Sequence, residues 1–303
     1  MKRPNNKNNM NQSPKQIKTT NATSVYDIIT ERIISLLEQG TVPWQKPWKV
    51  QSGMPRNLVS KKPYRGINAF LLHSMQYESP FWLTFKQAQE HGGKIRKGAR
   101  ACPVVFWKPI EIKDQKTGEA EKIPFLRYYH VFNLAQCEGL SVNNEAPAEP
   151  TPAGQIVENM PQRPDIKHGM NAAFYSPSVD TVGMPSRERF QIEAGYFATL
   201  FHELIHSTGH EKRLNRSTLL ESSGFGSDPY CKEELIAEMG AAFLCGHAGI
   251  VEITLNNSAA YLDHWLKQLN EDKTLIVRAA AQAQKAADFI LATTFNEANA
   301  DPS

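Results

Sequence analysis

Few folds accommodate the run YFATLFHELIHSTGH at residues 196–210, which sets an H-E-x-x-H at residues 202–206 inside an apolar stretch. Tyr196, Phe197, Leu200 and Phe201 call for a core-packed helix, and positions four apart on a helix share one face, about 5–6 Å from each other. Two imidazoles so placed reach one cation at about 2.0–2.1 Å, the zinc–nitrogen bond length. Glu203 stands beside them, where a proton can pass to it from metal-bound water. A His-Glu-His cluster buried without an ion is costly, because its polar groups lose their hydration.

The third ligand is less direct. His210 lies four residues after His206, but Thr208-Gly209 ends the helix before it. The pattern H-E-x-x-H-x-x-G-x-x-H is matched through Gly209 and fails at Lys212, where its last histidine belongs. The segment KEELIAEMGAAFLCG offers carboxylates instead. Glu234 and Glu238 are four apart on one helix face, and Ala237 and Ala241 let that face approach a neighbour closely. Zincins with a glutamate ligand set one acid on the metal and use a second to orient a ligand histidine. Glu234 is read as the ligand and Glu238 as the second acid, with the roles open to exchange. Glu233 fits a solvated face better. The cation is read as Zn2+, with another divalent metal such as Mn2+ as the alternative. The strand pair expected at residues 172–175 and 181–184 precedes the metal helix, where a peptide substrate would pair by its main chain.

The net charge of +3 hides a split. Residues 1–140 carry 22 Lys+Arg against 10 Asp+Glu, and residues 141–303 carry 12 against 21. A basic module invites a polyanion, most often nucleic acid. In the first half Trp44, Trp48, Trp82, Trp107, Tyr64, Phe81 and Phe85 interleave with Lys46, Lys49, Lys61, Lys62, Arg65, Lys86, Lys94, Arg96, Lys97 and Arg100. Single strands are held this way, with cations along the phosphates and aromatics against the bases. No basic recognition helix for a duplex is evident. Trp107, in VVFW, fits a core strand. Trp44 and Trp48, between prolines, are candidates both for burial and for exposed stacking platforms. The predicted nucleic-acid contacts are Trp44, Lys46, Trp48, Lys61, Lys62, Tyr64, Arg65, Trp82, Lys86, Lys94, Arg96, Lys97 and Arg100.

Residues 1–22 read as a flexible arm with little to bury. A capped helix is expected over 24–39, from Ser24 to Gly40. Strands are expected at 103–107 and 125–133, and a short helix closing at Gly92-Gly93. The Pro/Ala/Glu-rich stretch at 141–154 reads as a linker. Helices are expected over 187–209, 231–248, 256–271 and 272–293. The four cysteines form no C-x-x-C pair, so reduced thiols in a cytoplasmic protein are expected. No secretory signal is evident at the N-terminus, and no apolar run approaches the ~20 residues a membrane helix needs.

The run from Val25 through LLEQGTVPWQKPW, then PYRGINAFLL, WLTFKQA and IRKGA, resembles the N-terminal domain of ArdC-type antirestriction proteins. FHELIHSTGH and EELIAEMGAAFLC resemble the zincin-like metallopeptidase domain that follows it. The resemblance covers nearly all the chain beyond residue 22. It implies a single-stranded DNA-binding module joined to a domain related to DNA–protein crosslink proteases, acting in conjugation to shield incoming plasmid DNA from host restriction. The family's metal-site residues carry over onto His202, Glu203 and His206, and its third ligand onto EELIAE, between Glu234 and Glu238.

The expected architecture is α+β in two domains: an arm at 1–22, a single-stranded DNA-binding domain at 23–140, a linker at 141–155 and a zincin-like domain at 156–296. The expected partners are single-stranded DNA and a protein substrate, DNA-bound or restriction-related, with no membrane. The competing reading is a pure DNA-coating protein with a structural or vestigial metal site.

Overall fold

A computed structural model describes residues 24–45, 53–113, 120–140, 149–220, 228–250 and 258–293. The expected arm and residues 141–148 of the expected linker lie outside the described residues. Helix α1 (Val25–Glu38) begins where the sequence indicates. Ser24 accepts from the Asp27 amide while Asp27 accepts from the Ser24 amide, so two otherwise orphaned donors are satisfied together. Ile29, Ile33, Leu36 and Leu37 are its buried stripe. Gly40, at φ +71°, lets the chain leave the helix end.

The first half continues with β1 (Arg56–Asn57), α2 (Ile67–Ser74), β2 (Phe81–Thr84), α3 (Phe85–Glu90), β3 (Lys94–Ile95), β4 (Cys102–Lys113), β5 (Ala120–Asn133) and β6 (Cys137–Glu138). Strands β1, β2, β5 and β4 form one sheet in that order, and β3 pairs with β6. The β4–β5 register sets Cys102 opposite Val131 and Val104 opposite Tyr129. Cys102, Val104 and Val131 point into the main core. On the other face Leu83, Ala88 and Cys137 form a smaller cluster beneath α3 and the β3–β6 pair.

The second half holds α4 (Ala153–Glu158), β7 (Asp165–His168), β8 (Phe174–Ser176), β9 (Thr181–Met184), α5 (Glu193–Thr208), α6 (Ser217–Leu220), α7 (Asp228–Ala248), α8 (Ala259–Glu271) and α9 (Leu275–Ile290). The expected linker ends early, because Ala153, Gly154 and Gln155 already belong to α4, whose Ile156 and Val157 are buried. The expected helix over 187–209 is shorter at its start. Residues 187–189 form a single 3-10 turn, and Ile192 is extended at φ −140°, so α5 starts at Glu193. β7, which the sequence reading did not contain, runs parallel to β9, and β8 runs antiparallel on its other side. β8 is therefore an edge strand. Arg213 locks the loop between β8 and β9 onto the end of α5, donating to the Asp180 carboxylate, the Tyr175 hydroxyl and the Ser207 carbonyl.

The two halves share one core. Helix α9 presents an alanine stripe, Ala279, Ala280, Ala283, Ala286 and Ala287, all buried. Small side chains allow close approach, and α9 packs on α5, α7 and α8 from its own half and on α1 and α2 from the other. The Gly66 amide donates to Gln284, Arg65 pairs with Asp288, and Phe70 stacks on Phe243 at 4.6 Å. All four cysteines are buried, and none is in a disulfide. Among the described residues no helix is long and apolar enough to cross a membrane.

A shared core predicts joint unfolding. Ala283→Leu overfills the alanine stripe and costs about 1–3 kcal/mol. Circular dichroism and tryptophan fluorescence should show both halves melting together at a lowered Tm. Two separated transitions in the wild-type chain would contradict this.

Candidate metal centre

Helix α5 ends at Thr208 with Gly209 as its cap, which leaves His202 and His206 one turn apart on the last two turns. Their Nε2 atoms lie 3.1 Å from each other, with the rings at 78°. Helix α7 crosses α5 at this point. Gly240 is what admits it, because a Cβ there would stand 2.6 Å from Cδ1 of Ile205. Ala237 and Ala241 are buried beside it, so the small face expected of this helix is used as expected. The approach brings Glu234 Oε2 to 3.4 Å from His202 Nε2 and Glu234 Oε1 to 3.4 Å from His206 Nε2.

These three residues fit a cation. Their ligand atoms all lie within 4.8 Å of one another. A tetrahedral ion with bonds of about 2.0–2.1 Å keeps its ligand atoms roughly 3.3 Å apart, close to the 3.1, 3.4 and 3.4 Å separations here. Burial opposes a proton on His206, yet Glu233 and Glu234 outweigh it and raise the pKa to about 9. Burial would likewise lift Glu234, but the two imidazoles hold it well below the usual carboxylate range. Without an ion, a proton on His206 supplies positive charge to the carboxylates beside it.

Glu203 is 8% exposed, and burial pushes its carboxyl upward against the pull of the two imidazoles. The main-chain amide of Tyr175, on edge strand β8, donates to it. The general-base candidate and the sheet edge are thus in direct contact.

Glu233 corrects the sequence reading. It is 3% exposed rather than solvated. Its Oε1 lies 3.4 Å from His206 Nδ1, and Arg216 Nε and the Thr218 hydroxyl donate to its Oε2 at 3.1 and 2.6 Å. Arg216, itself buried, also donates to the Ile205 carbonyl at 2.9 Å. Burial alone would raise Glu233; His206 and Arg216 instead lower it to about 2. Glu233, and not Glu238, is the carboxylate against a ligand imidazole's second nitrogen. Adjacent positions differ by 100° on a helix, so Glu233 and Glu234 reach different parts of one neighbour; nothing local marked Arg216 as the partner. Glu238 accepts from Trp44 and Tyr261 instead. His210 lies past the helix end, where its Nδ1 accepts from the Lys212 amide at 3.2 Å.

The expected nucleic-acid contacts divide. Trp44, Trp82 and Tyr64 are 1%, 2% and 6% exposed, so none offers a stacking face. Trp44 is drawn in by Glu238 and packs edge-on against Trp265, and Trp82 packs edge-on against Tyr77. Arg65 is committed to Asp288 in the junction between the halves. Lys61, Lys62, Lys86, Lys94, Arg96, Lys97 and Arg100 are exposed. Lys61 sits over the Phe81 ring at 4.8 Å, Lys86 pairs with Glu90 and Arg96 with Glu138. Lys46 and Trp48 lie outside the described residues. Two aromatics outside that set are exposed on this half, Phe85 at 54% and Tyr128 at 41%. Strand alternation at residues 125–133 was the available signal for Tyr128.

Residues 153–282 match a family described as zincin-like metallopeptidase, and residues 23–132 match the N-terminal domain of anti-restriction factor ArdC. Two Escherichia coli proteins named DNA primase TraC are 36% and 33% identical over 88% of this chain. The chain spans 27% and 20% of those relatives' lengths. An uncharacterized protein, y4eC, of Sinorhizobium fredii is 33% identical, and the chain covers 92% of it. Among solved structures, the antirestriction ArdC protein from the R388 plasmid superposes in a metal-free form (TM-score 0.72, 38% identity) and an Mn(II)-bound form (TM-score 0.73, 37% identity). Each alignment covers 91% of this chain and 99% of the other. Together with the His202–His206–Glu234 cluster, the zincin-like fold and the Mn(II)-bound relative indicate a divalent metal site.

Gly240→Ala would press against Ile205 and spread α5 from α7. It should cost about 1–3 kcal/mol of stability and weaken metal uptake, measured by metal analysis after dialysis. Full uptake in a folded Gly240→Ala protein would show that the close approach is not needed.

Proposed function

The chain belongs to the ArdC family of antirestriction proteins, with a zincin-like domain, and from that premise we propose that it binds single-stranded DNA with its first half and cleaves a protein at a zinc centre in its second. The role is protection of incoming plasmid DNA from host restriction during conjugation. The observation that carries the reading is the convergence of His202, His206 and Glu234 beside the buried carboxylate of Glu203. A site serving only to hold the fold together has no use for a fourth, metal-free carboxylate.

His202, His206 and Glu234 hold the cation, and Glu233, braced by Arg216, fixes the His206 ring. When bound, a divalent ion lowers the pKa of water and polarises a carbonyl. A peptide pairs along the free edge of β8. Glu203 takes a proton from the attacking water and returns it to the leaving amine nitrogen. Its burial raises its affinity for that proton, which suits both transfers. The substrate is a protein on or near the DNA, since tethering through the first half raises effective concentration without new contacts.

For the nucleic acid, support comes from exposed cations on α3, on β3 and between β3 and β4: Lys86, Lys94, Arg96, Lys97 and Arg100. Phe85 opens α3, and Tyr128 stands on β5 against His130 at 5.6 Å. Phosphates meet the cations while bases stack on these two rings. Each stacked base contributes about 1–3 kcal/mol.

Two experiments test the reading. Phe85→Ala with Tyr128→Ala should weaken binding of an oligothymidine at least about tenfold, with the salt dependence retained because the cations remain. Unchanged affinity would remove these rings from the interface. Glu203→Ala should keep metal and DNA yet lose antirestriction in a conjugation assay. Protection undiminished by that change would mean that DNA coating, with a structural or vestigial metal site, is how the protein acts.

A further inference from the structure

A further carboxylate near the metal centre is well satisfied although it touches no ligand histidine in a hydrogen bond among those described. Glu238 lies one turn beyond Glu234 on α7, in an interior where an anion needs donors. Its Oε2 accepts from Nε1 of Trp44 at 2.9 Å and from the Tyr261 hydroxyl at 2.5 Å. Gln45 Nε2 donates to the Tyr261 oxygen at 2.9 Å, which leaves that hydroxyl's proton for Glu238. Three elements meet here: α7, α8 and the turn following α1. Trp44 arrives from 194 residues away. It is 1% exposed, set edge-on to Trp265 at 6.2 Å, as Tyr261 also is.

We propose that Trp44 is a positioning residue of the metal centre, acting through Glu238, so that the first half of the chain builds part of the metal site in the second. A tryptophan needed only for packing would be equally well placed facing any apolar wall. This one aims its single donor at the carboxylate one helical turn from a ligand. Two donors on one oxygen hold Glu238 in a single rotamer and offset part, though not all, of the cost of burying its charge. The carboxyl oxygens, rich in electron density, face the side of the cluster occupied by His202, whose charge favours the ionised form. Partner carboxylates outside the ligands typically set metal affinity by factors of 10–100. Tyr261 has the same role from α8. The consequence is reciprocal: whatever displaces the turn at residues 41–45 loosens the metal, and metal uptake stiffens that turn.

The inference rests on the reading of His202, His206 and Glu234 as ligands, and the test separates the two. Mn(II) is titrated into the full chain, with free Mn(II) followed by its paramagnetic resonance signal, for wild type, Trp44→Phe, Tyr261→Phe, Glu238→Gln and the Trp44→Phe/Glu238→Gln double variant. Trp44→Phe keeps a six-membered ring and removes the donor together with the rest of the pyrrole ring. It and Tyr261→Phe should each weaken Mn(II) binding about tenfold, and Trp44→Phe should add little once Glu238→Gln is present. If the single variants lower the melting temperature of the metal-free protein but bind Mn(II) as wild type does, the network is packing alone and the proposal falls. Full additivity in the double variant would likewise overturn it, because Trp44 would then act by another route. A wild-type chain that takes up no Mn(II) and no Zn(II) fails earlier, at the ligand assignment, and removes both. Should Trp44→Phe not fold, Tyr261→Phe against Glu238→Gln gives the same cycle.

Discussion

The contact between α5 and α7 governs the chemistry of this protein. Gly240 and its alanine neighbours bring a helix bearing Glu233, Glu234 and Glu238 against one bearing His202, Glu203 and His206. Carboxylates brought together in a largely apolar interior repel one another and lose hydration. Each is balanced differently. Arg216 and Thr218 neutralise Glu233, two neutral donors satisfy Glu238, and a backbone amide serves Glu203. Glu234 faces the two imidazoles and the Tyr230 hydroxyl, and a cation held between the imidazoles relieves its charge. The fit of a doubly charged ion to this site rests on these neighbours as well as on ligand spacing.

The same balance revises what the charge split means. The negative excess of residues 141–303 invites a picture of an acidic outer surface. Four of those acids, Glu203, Glu233, Glu234 and Glu238, are instead interior or nearly so and belong to the metal centre. Among the described residues, Lys86, Lys94, Arg96, Lys97 and Arg100 of the first half do lie outside, on α3, on β3 and in the turn after it. Composition reports the sum of charges and is silent on which side of the surface they fall.

Much was legible because it is local. A helix start with Ser24 and Asp27 three apart, an H-E-x-x-H inside an apolar run, and alternation through residues 125–133 need no partner to be recognised. The resemblance to the ArdC family rested on such runs, and the family assignment and the α+β fold agree with it. What escaped was set at long range. Trp44 and Trp82 look alike to a reading of composition; both are buried, Trp44 by Trp265 far along the chain and Trp82 edge-on against nearby Tyr77. Arg65 looked like a phosphate ligand until α9, more than 200 residues later, supplied Asp288. β7 is four residues of mostly polar sequence, and only pairing with buried β9 makes it a strand.

The long-range contacts also bear on why a nucleic-acid module and a metal centre occupy one chain. A flexible tether would let each half work alone and would couple them only through local concentration. Here α9 packs on helices from both halves, and Arg65, Gly66, Phe70 and Trp44 are all anchored in the second half. Such a junction transmits position rather than mere proximity. The geometry at Glu238 depends on where the turn after α1 lies, and Glu203 is bound to the strand edge along which a peptide would lie. Each half therefore packs into the other, and a displacement in one has a direct physical route to the other.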